Sequence, residues 1–532
     1  MGASPGAVAR ALPALIICSV VAFGGILYGY TTGEISGIIA MDYFRKQFST
    51  GYISPDDGLP DITSQQSSEI VSLLSAGTFL GCLIAAPIAD RAGRRISLLV
   101  SCVIFAVGVV LQTVASAIPM FVASRFFCGL GLGIVTTVVP MYLSEAAPRK
   151  IRGSMISSYQ LIQTVGLLLS AIVVNATKNR DDSSAYRIPI AIQFAWVFIL
   201  ACGMVYLPES PHFRVKQDRH DAAAKALSKL RRLPEEDKIL QEELAQIHNN
   251  QKVESSIGSV SYRELCRGTL GFRLLTGALL MALSQLTGIN FIFYFGTTFF
   301  SSSGIANSYI IQVIMNVVNV VSTLPGLWMV EKWGRRPVLL FGAIGMAISQ
   351  LLVAIVGTAT GDGSSAGNKC LIAFSCVFIF FFACSWGPVG WVVCAEIFPL
   401  SARAKGVSIT TSMNWLFNWA LAYATPYMVD SGAGNADMGS KVFFIWGGFC
   451  CASIAFVYFM IYETKGLSLD QIDELYATAD HAWTSGGFLS VDGGVVARPG
   501  NGGSRDGDEG EKKEREGEGG GIIVDKNDVV EV

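Results

Sequence analysis

The chain has 532 residues, of which 51% are hydrophobic and only 15% are charged, whereas an ordinary soluble domain has about 25% charged residues. This composition excludes a soluble globular protein, because too little polar surface is available to face water. The formal net charge of −2 provides no basic surface for nucleic acid. A lipid bilayer is therefore the expected surrounding of the chain.

Apolar runs long enough to cross the hydrocarbon core, about 20 residues each, recur twelve times. We expect them to be helices, since a spanning segment must satisfy its own backbone hydrogen bonds. The runs lie near residues 11–40, 70–89, 96–117, 120–143, 154–175, 188–207, 271–300, 307–330, 337–357, 370–398, 406–429 and 441–462. We predict an all-α membrane protein with twelve transmembrane helices in two pseudo-symmetric six-helix bundles.

The polar segments between and beyond these runs predict the domain boundaries. The predicted parts are a cytoplasmic N-terminus at 1–10, an N-terminal bundle at 11–207, a cytoplasmic linker with short helices at 208–269, a C-terminal bundle at 270–462 and a cytoplasmic tail at 463–532. The tail is expected to be disordered beyond about residue 478, because its Gly-, Glu- and Lys-rich sequence buries too little apolar surface to fold.

Lysine and arginine in the short loops predict the orientation. Loops near 90–96, 148–153, 331–337 and 403–406 carry eleven of these residues, and the loops at the opposite ends of the spans carry seven. The excess places the first set of loops, both termini and the linker in the cytoplasm, as an even number of spans requires.

The two halves repeat the same charged motifs. The segment 90–95 (Asp-Arg-Ala-Gly-Arg-Arg) follows the second span, and 331–336 (Glu-Lys-Trp-Gly-Arg-Arg) follows the eighth. A glutamate, a proline and an arginine then recur with identical spacing in each half. Singly, such charges could serve only topology or helix ends. Their duplication favours a carrier, because parallel repeats place a substrate site between rocking halves. We predict a conformational latch at the cytoplasmic ends of the halves, formed by Asp90, Arg91, Arg94, Arg95, Glu145, Arg152, Glu209, Glu331, Arg335, Arg336, Glu396 and Arg403.

Motifs along both halves resemble the sugar porter family of the major facilitator superfamily, particularly its fungal hexose transporters. The resemblance covers roughly residues 10–477 and is carried by the segments 29–37, 140–145, 208–211, 285–290 and 463–466. It implies transport of a monosaccharide, glucose or a related hexose, by alternating access. It also implies a plasma-membrane protein whose functional unit is a monomer and that needs no cofactor.

A neutral sugar offers hydroxyl groups that donate and accept hydrogen bonds, and Asn and Gln side chains do both. Aromatic rings suit its apolar C–H faces, and polar residues inside a membrane are functional candidates. The family resemblance implies sugar contacts at Gln160, Gln285, Asn290, Tyr294, Asn319, Trp391, Trp415 and Asn418. Because Gln285 and Asn290 are five residues apart, a straight helix would point them in different directions. We predict that Gly288 unwinds the helix between them.

Proton coupling is a separate question. The resemblance implies that symporters place an aspartate in the first span, opposite the arginine of the fourth span. Here that position is Thr31, so Arg125 lacks the switchable partner, and we predict an uncoupled facilitator. Glu34 lies one helical turn further along. It is either a substitute proton carrier that makes the protein a symporter, or a helix-end charge at the outer surface.

Other classes of function are less well supported. The spans show no paired carboxylates, no Ser–His arrangement and no phosphate-binding loop, so we do not expect an enzyme. The twelve cysteines have no metal-ligand spacing, and the four histidines fall in polar segments. A non-transporting glucose sensor on the same fold stays an alternative.

Overall fold

The computed structural model describes residues 19–53, 58, 60–146, 152–257, 261–302, 307–360, 365–431, 434–467, 469–479, 481–491 and 494–497. The predicted N-terminal segment 1–10, the beginning of the first span and the tail beyond residue 497 lie outside these residues.

The N-terminal half is helical, and its long helices coincide with predicted spans one to six. Its helices are α1 (Gly24–Ile39), α2 (Asp42–Phe48), α3 (Ser64–Ala92), α4 (Arg94–Val114), α5 (Ile118–Ala146), α6 (Arg152–Thr177) and α7 (Ser184–Tyr206). Helix α3 begins with a capping box, in which the Thr63 hydroxyl accepts from the Gln66 amide and the Gln66 side chain accepts from the Thr63 amide. The linker adds α8 (Pro211–Lys216), α9 (His220–Arg231), α10 (Lys238–Ile257) and α11 (Tyr262–Leu265).

The C-terminal half follows the same plan, with two of its spans broken. Its helices are α12 (Gly268–Leu286), α13 (Ile289–Ser302), α14 (Ser308–Trp333), α15 (Arg335–Thr360), α16 (Ser365–Cys384), α17 (Trp386–Glu396), α18 (Leu400–Val429), α19 (Val442–Met460) and α20 (Leu469–Thr478). The α12–α13 pair forms the seventh span, and the α16–α17 pair forms the tenth.

Ten helical segments within the described residues are long and apolar enough to cross a membrane. They correspond to predicted spans two to ten and twelve. Helix α1, of 16 described residues, and helix α18, of 30 residues, occupy the positions of the first and eleventh spans. The described structure thus confirms a membrane fold whose spanning part is helical, and the full count of twelve spans stays a prediction.

The interface between the halves forms along three pairs of helices. Helix α3 packs against α18, α6 packs against α14, and the C-terminal part of α1 packs against α13. Within the N-terminal half, α3 and α5 approach closely because both carry glycines at the crossing. A Cβ atom at Gly77 or Gly129 would overlap the backbone of the opposite helix.

The chain after the last span includes two short elements within the described residues, and the disorder predicted beyond about residue 478 stays a prediction. Residues Ala482–Gly487 form a 3-10 helix, and Phe488–Val491 (β1) pairs antiparallel with Gly494–Ala497 (β2). Ala482 and Ser485 are almost fully buried against the C-terminal half, a contact that sequence composition alone does not reveal.

Candidate functional site

Five side chains of α12, α13 and α18 form a hydrogen-bonded group, the amide network: Gln285, Asn290, Tyr294, Asn414 and Asn418. Gln285 donates to Asn414 (2.6 Å) and accepts from Asn290 and from Asn418 (3.1 Å). The Tyr294 hydroxyl donates to Asn418 Oδ1 at 3.1 Å. Except for Asn290, these side chains are buried. The network offers both donors and acceptors, the combination that a polyhydroxylated ligand requires.

The predicted unwinding at Gly288 is confirmed. Helix α12 ends at Leu286, Gly288 has a φ of +84°, and α13 begins at Ile289. This break turns Asn290 toward Gln285. The indole of Trp446 lies directly against Gly288, so a side chain at this position would collide with the ring. Only glycine meets both the backbone angle and the close approach.

Aromatic side chains flank the amide network. The ring of Trp415 contacts Tyr28 of the other half edge-on, with centroids 5.4 Å apart. A small cavity adjoins the network, and Gln285, Asn290, Tyr294 and Trp446 line part of its wall. The indole N–H groups of Trp415 and Trp446 are buried without a hydrogen-bond partner among the described residues. A buried donor without a partner is costly. Each of these two N–H groups can still donate one hydrogen bond to a ligand.

The structure gathers half of the predicted sugar contacts, Gln285, Asn290, Tyr294 and Asn418, into one network, beside which Trp415 lies. Within the described residues, the other three make no hydrogen bond to the network: Gln160, Asn319 and Trp391. Gln160 approaches Gly387 of α17, the helix that carries Trp391, across the interface between the halves.

Two network partners were missed by sequence reasoning. Asn414 was one of many amides within the spans, and its spacing of one turn from Asn418 is the signal that could have singled it out. Ser75 of α3 donates to Asn418 Oδ1 at 2.5 Å across the interface. Its helical spacing from Ser68 and Ser72 is visible in the sequence, but nothing in the sequence indicates which of these serines reaches Asn418.

A second set of contacts joins the halves at the end of the helices opposite the charged motifs. The Ser36 and Thr297 hydroxyls are hydrogen bonded at 3.0 Å, and Tyr309 donates to the Gly37 carbonyl at 3.3 Å. Ser64 donates to Asp430 at 2.8 Å. These contacts close the end that the positive-inside rule assigns to the outside.

Glu34 and Arg125 form a buried pair in the N-terminal half. Both side chains are fully buried, and Arg125 Nη1 lies 3.9 Å from Glu34 Oε1. Gln193 donates to Glu34 Oε1 at 2.5 Å and accepts from Thr31 at 3.1 Å. Glu34 Oε2 has no hydrogen-bond partner in the described structure. Of the two alternatives for Glu34, its burial excludes a charge at the surface, and the carboxylate beside Arg125 comes from Glu34 instead of from an aspartate at position 31.

The charged motif of the N-terminal half forms a compact group, the N-half cluster: Arg94, Arg95, Glu145, Glu209 and Ser210. Arg94 donates to Glu145 through Nη2 at 2.9 Å and through Nε at 3.2 Å. Glu209 accepts from the backbone amides of Arg94 (2.8 Å) and Arg95 (3.2 Å) at the start of α4. Ser210 donates to the second oxygen of Glu145. A carboxylate at a helix N-terminus is favourable, since it satisfies free amides and the helix dipole.

The C-terminal half reproduces this arrangement in the C-half cluster: Arg335, Arg336, Glu396, Glu463 and Thr464. Arg335 donates to Glu396 at 2.6 and 3.0 Å. Glu463 accepts from the amides of Arg335 and Arg336, both at 3.0 Å, and Thr464 donates to Glu396 at 2.8 Å. Glu463 was missed as a cluster member. Its place directly after the last span of its half, like that of Glu209, is the signal that could have found it.

The remaining predicted latch residues do not belong to either cluster. Asp90 pairs with Lys216 at 3.1 Å, whereas Arg91 and Glu331 are exposed. Arg403 lies half-buried in the first turn of α18, and the side chain of Arg152 lies outside the described residues. The ion pairs described for the two clusters each join helices of the same half. A latch across the halves stays a prediction.

Fold and site together define a polytopic helical membrane protein with a polar site buried between two half-bundles. Within the described part of the chain, no group of three or more metal-ligating side chains occurs. The chain matches the family described as "Sugar (and other) transporter" over residues 17–476 and belongs to it.

Individual relatives agree with this family. The chain is 56% identical to "Major facilitator-type transporter ecdD" of Aspergillus rugulosus, covering 90% of each chain. It is 50% identical to "Probable glucose transporter rco-3" of Neurospora crassa, over 90% of this chain and 81% of that protein. It is 43% identical to "High glucose sensor RGT2" of Saccharomyces cerevisiae, over 87% of this chain and 60% of the sensor.

A solved structure shares the fold. The proton:xylose symporter XylE of E. coli, bound to 6-bromo-6-deoxy-D-glucose, superimposes with a TM-score of 0.72 over 87% of this chain and 99% of that chain. The sequence identity is 24%, so this likeness shows the major facilitator fold and no more.

Proposed function

We propose that this protein carries glucose or a related hexose across the membrane by alternating access. The observation that supports this most directly is the amide network at the interface between the halves, flanked by the buried indoles of Trp415 and Trp446. A hexose hydroxyl needs a donor and an acceptor within reach, and Gln285 and Asn418 each carry both groups, which can exchange their present partners for the sugar. An indole provides an apolar face for the sugar ring together with an N–H donor. The glucose transporter among the relatives supports the same substrate class.

The two charged clusters suggest how the halves move. Each cluster ties the end of one half together through an arginine–carboxylate pair and a capped helix start. Such internal bonding makes each half a rigid body, which is what rocking about a site between the halves requires. In the conformation described, the halves are bonded at the predicted outer end through Ser36, Thr297 and Tyr309. The proposed cycle exchanges these contacts for contacts between the cluster-bearing ends, with Gln160, Asn319 and Trp391 completing the sugar site.

The proposal includes a location and an assembly. The protein is placed in the plasma membrane with both termini and the linker in the cytoplasm, and it acts as a monomer, because the sugar site lies within one chain. A protease-accessible tag at either terminus of the protein in intact cells tests the orientation. Cleavage without permeabilising the cells would contradict it.

Uptake of labelled D-glucose by transporter-null yeast that express this chain tests the transport function. We expect saturable uptake that Gln285→Ala and Asn418→Ala reduce at least tenfold, since each leaves buried polar partners unpaired. Gln350→Ala is a control, because Gln350 is a buried amide of the same half whose one side-chain hydrogen bond within the described residues goes to the Thr287 carbonyl. Surface expression without uptake of any hexose would instead favour the sensor alternative.

The Glu34–Arg125 pair favours a second candidate, proton-coupled hexose transport. The absence of an aspartate at position 31 predicted an uncoupled facilitator. However, a buried carboxylate with one unpaired oxygen is costly, and taking up a proton would relieve it. Uptake with and without a protonophore separates the two mechanisms. A facilitator keeps its uptake when the protonophore is present, and its net uptake stops when the sugar concentrations inside and outside are equal. A symporter loses accumulation with the protonophore, and Glu34→Gln, but not the peripheral Glu69→Gln, abolishes accumulation while leaving exchange.

A further inference from the structure

Ser75 contacts the amide network from the opposite half of the molecule. It belongs to a row of serines, at positions 64, 68, 72 and 75, whose spacing of four, four and three residues places them on one face of α3. This face lies against α18. Ser64 donates to Asp430 and Ser68 donates to the Tyr423 carbonyl, both at 2.8 Å. Ser75 is the member of the row that reaches a proposed sugar contact, Asn418.

The hydrogen bonds of Asn418 leave no room for a ligand at its carbonyl oxygen. That oxygen has two lone pairs, and it accepts from Ser75 at 2.5 Å and from Tyr294 at 3.1 Å. The amide nitrogen donates to Gln285 at 3.1 Å. A sugar hydroxyl that donates to Asn418 must therefore displace one of the two hydroxyl donors.

Ser75 is the donor that can leave at low cost. A serine within a helix can turn its hydroxyl to the carbonyl four residues earlier. Thr78, one turn away on the same helix, already does so, donating to the Leu74 carbonyl at 2.7 Å. The Tyr294 hydroxyl sits at the end of a buried aromatic ring, which cannot turn back to a carbonyl of its own helix as a serine hydroxyl can.

We propose that Ser75 is a positioning residue that couples sugar binding to the interface between the halves. In the empty site its hydroxyl holds Asn418 and bonds α3 to α18 at the middle of the interface. An incoming sugar hydroxyl takes its place on Asn418, and the bond between the halves is lost. Part of the binding free energy of the sugar is thus used to loosen α3 from α18. This inference rests on the proposed hexose transport.

Four single variants of the full-length protein test the proposal. Ser75→Ala removes the competing hydroxyl. Ser75→Cys keeps the volume with a weaker donor. Ser68→Ala removes a bond between the halves without touching the network. Ser72→Ala is the matched control, because Ser72 is equally buried on the same face, and its hydroxyl has no partner among the described residues.

The readouts are the Kd for D-glucose, from tryptophan fluorescence of the purified protein, and the KM and kcat of uptake. We expect Ser75→Ala to lower Kd and KM three- to tenfold, because Asn418 then keeps an unpaired acceptor that only the sugar fills. The kcat should not rise, because binding is no longer linked to release of the interface. Ser75→Cys should be intermediate, and Ser68→Ala and Ser72→Ala should stay within twofold of the parent Kd.

Contrary results are distinct. An unchanged or raised Kd in Ser75→Ala, or an equal fall in Ser68→Ala or Ser72→Ala, would overturn the role of Ser75 while leaving hexose transport intact. A parent protein that neither binds nor transports any hexose would overturn the proposed function, and this inference with it.

Discussion

The N-half and C-half clusters have nearly the same bonding but different surroundings. In each, an arginine pairs with a glutamate, a second glutamate caps a helix start, and a hydroxyl bonds the paired glutamate. The N-half cluster is covered by the linker, where the Phe213 ring lies 5.2 Å from the Arg94 guanidinium. The C-half cluster is covered by the tail, where the Glu463 amide donates to Ser485 at 2.8 Å. Because both clusters share the same hydrogen bonds, we expect them to have the same role in the two halves. The segments that cover them, the linker and the tail, are different, so the two halves can differ there.

The tail cover is built from stacked rings. Trp483 stacks on Tyr458 with centroids 5.9 Å apart, and His481 stacks on Trp483 at 4.2 Å. The Arg336 guanidinium also contacts the Tyr458 ring, at 5.3 Å. The tail therefore contacts the C-half cluster through both a hydrogen bond and aromatic packing, and a change in the tail can reach the cluster directly.

The arginine–glutamate pairs should give the largest effects, and the N-half pair should be the stronger. Arg94 and Glu145 are 8% and 14% exposed, against 17% and 24% for Arg335 and Glu396. Removing one partner of a buried pair leaves an uncompensated charge. We expect Arg94→Ala to destabilise by about 3 kcal/mol and Arg335→Ala by about 2 kcal/mol, measured by thermal unfolding of the purified protein. The double variant Arg94→Ala/Glu145→Ala should be less destabilised than the sum of its singles. Equal losses from the two arginines would contradict the burial argument.

The glycines that precede the two helix starts should behave alike. Gly93 and Gly334 have φ values of +95° and +100°, in a region that other residues rarely adopt. In each case a Cβ atom would also meet the capping glutamate. Gly93→Ala and Gly334→Ala should each cost about 2 kcal/mol in the same unfolding measurement. Gly448→Ala, where a Cβ atom meets open space, is the control. Tolerance of alanine at one of the two sites alone would show that the clusters are not equivalent.

Loss of the tail cover should affect only the C-half cluster. Ser485→Ala removes the acceptor of the Glu463 amide, and we expect a loss of about 1 kcal/mol. Thr484→Ala is the neighbouring control, because Thr484 is exposed and its hydroxyl donates to the His481 carbonyl, its one partner in the described part of the tail. Double-mutant cycles combine Ser485→Ala with Arg335→Ala and, separately, with Arg94→Ala. They compare the free energies of unfolding. Coupling to Arg94 instead of Arg335 would refute the assignment of the tail to the C-half cluster.

The smallest effect on stability is expected at the solvent-exposed charges of the two motifs. Asp90 pairs with Lys216 while both are about half exposed, at 50% and 47%. An exposed ion pair contributes little, so Asp90→Asn should cost about 0.3 kcal/mol, and the loss should vanish in high salt. Its counterpart Glu331 is exposed, and Glu331→Gln should leave the unfolding temperature unchanged. A larger effect at Glu331 would indicate a partner across the halves, as the predicted latch requires.

Local features of the fold were predictable where one residue type enforces the structure. The break at Gly288 followed from the glycine and from the spacing of Gln285 and Asn290. The repeated motifs predicted similar placement of the same residue types in the two halves, because identical spacing implies identical placement, whereas the latch across the halves stays a prediction. In contrast, the partner of Arg125 was left open between Glu34 and no carboxylate at all. Glu34 lies one turn beyond Thr31, and which side chain faces an arginine of another helix depends on helix rotation, which spacing within one span does not report.

The sequence by itself determined that this protein lies in a lipid bilayer and is helical. It also determined the repeat of its two halves and its family. Hydrophobic length and repeated motifs are properties of the chain alone. The tertiary structure decided that the charged clusters bond within each half, that Ser75 reaches Asn418, and that the tail covers Glu463. These contacts join residues far apart in sequence, over 340 positions for Ser75 and Asn418. Their existence depends on how helices pack side by side, and no local pattern of residues encodes that packing.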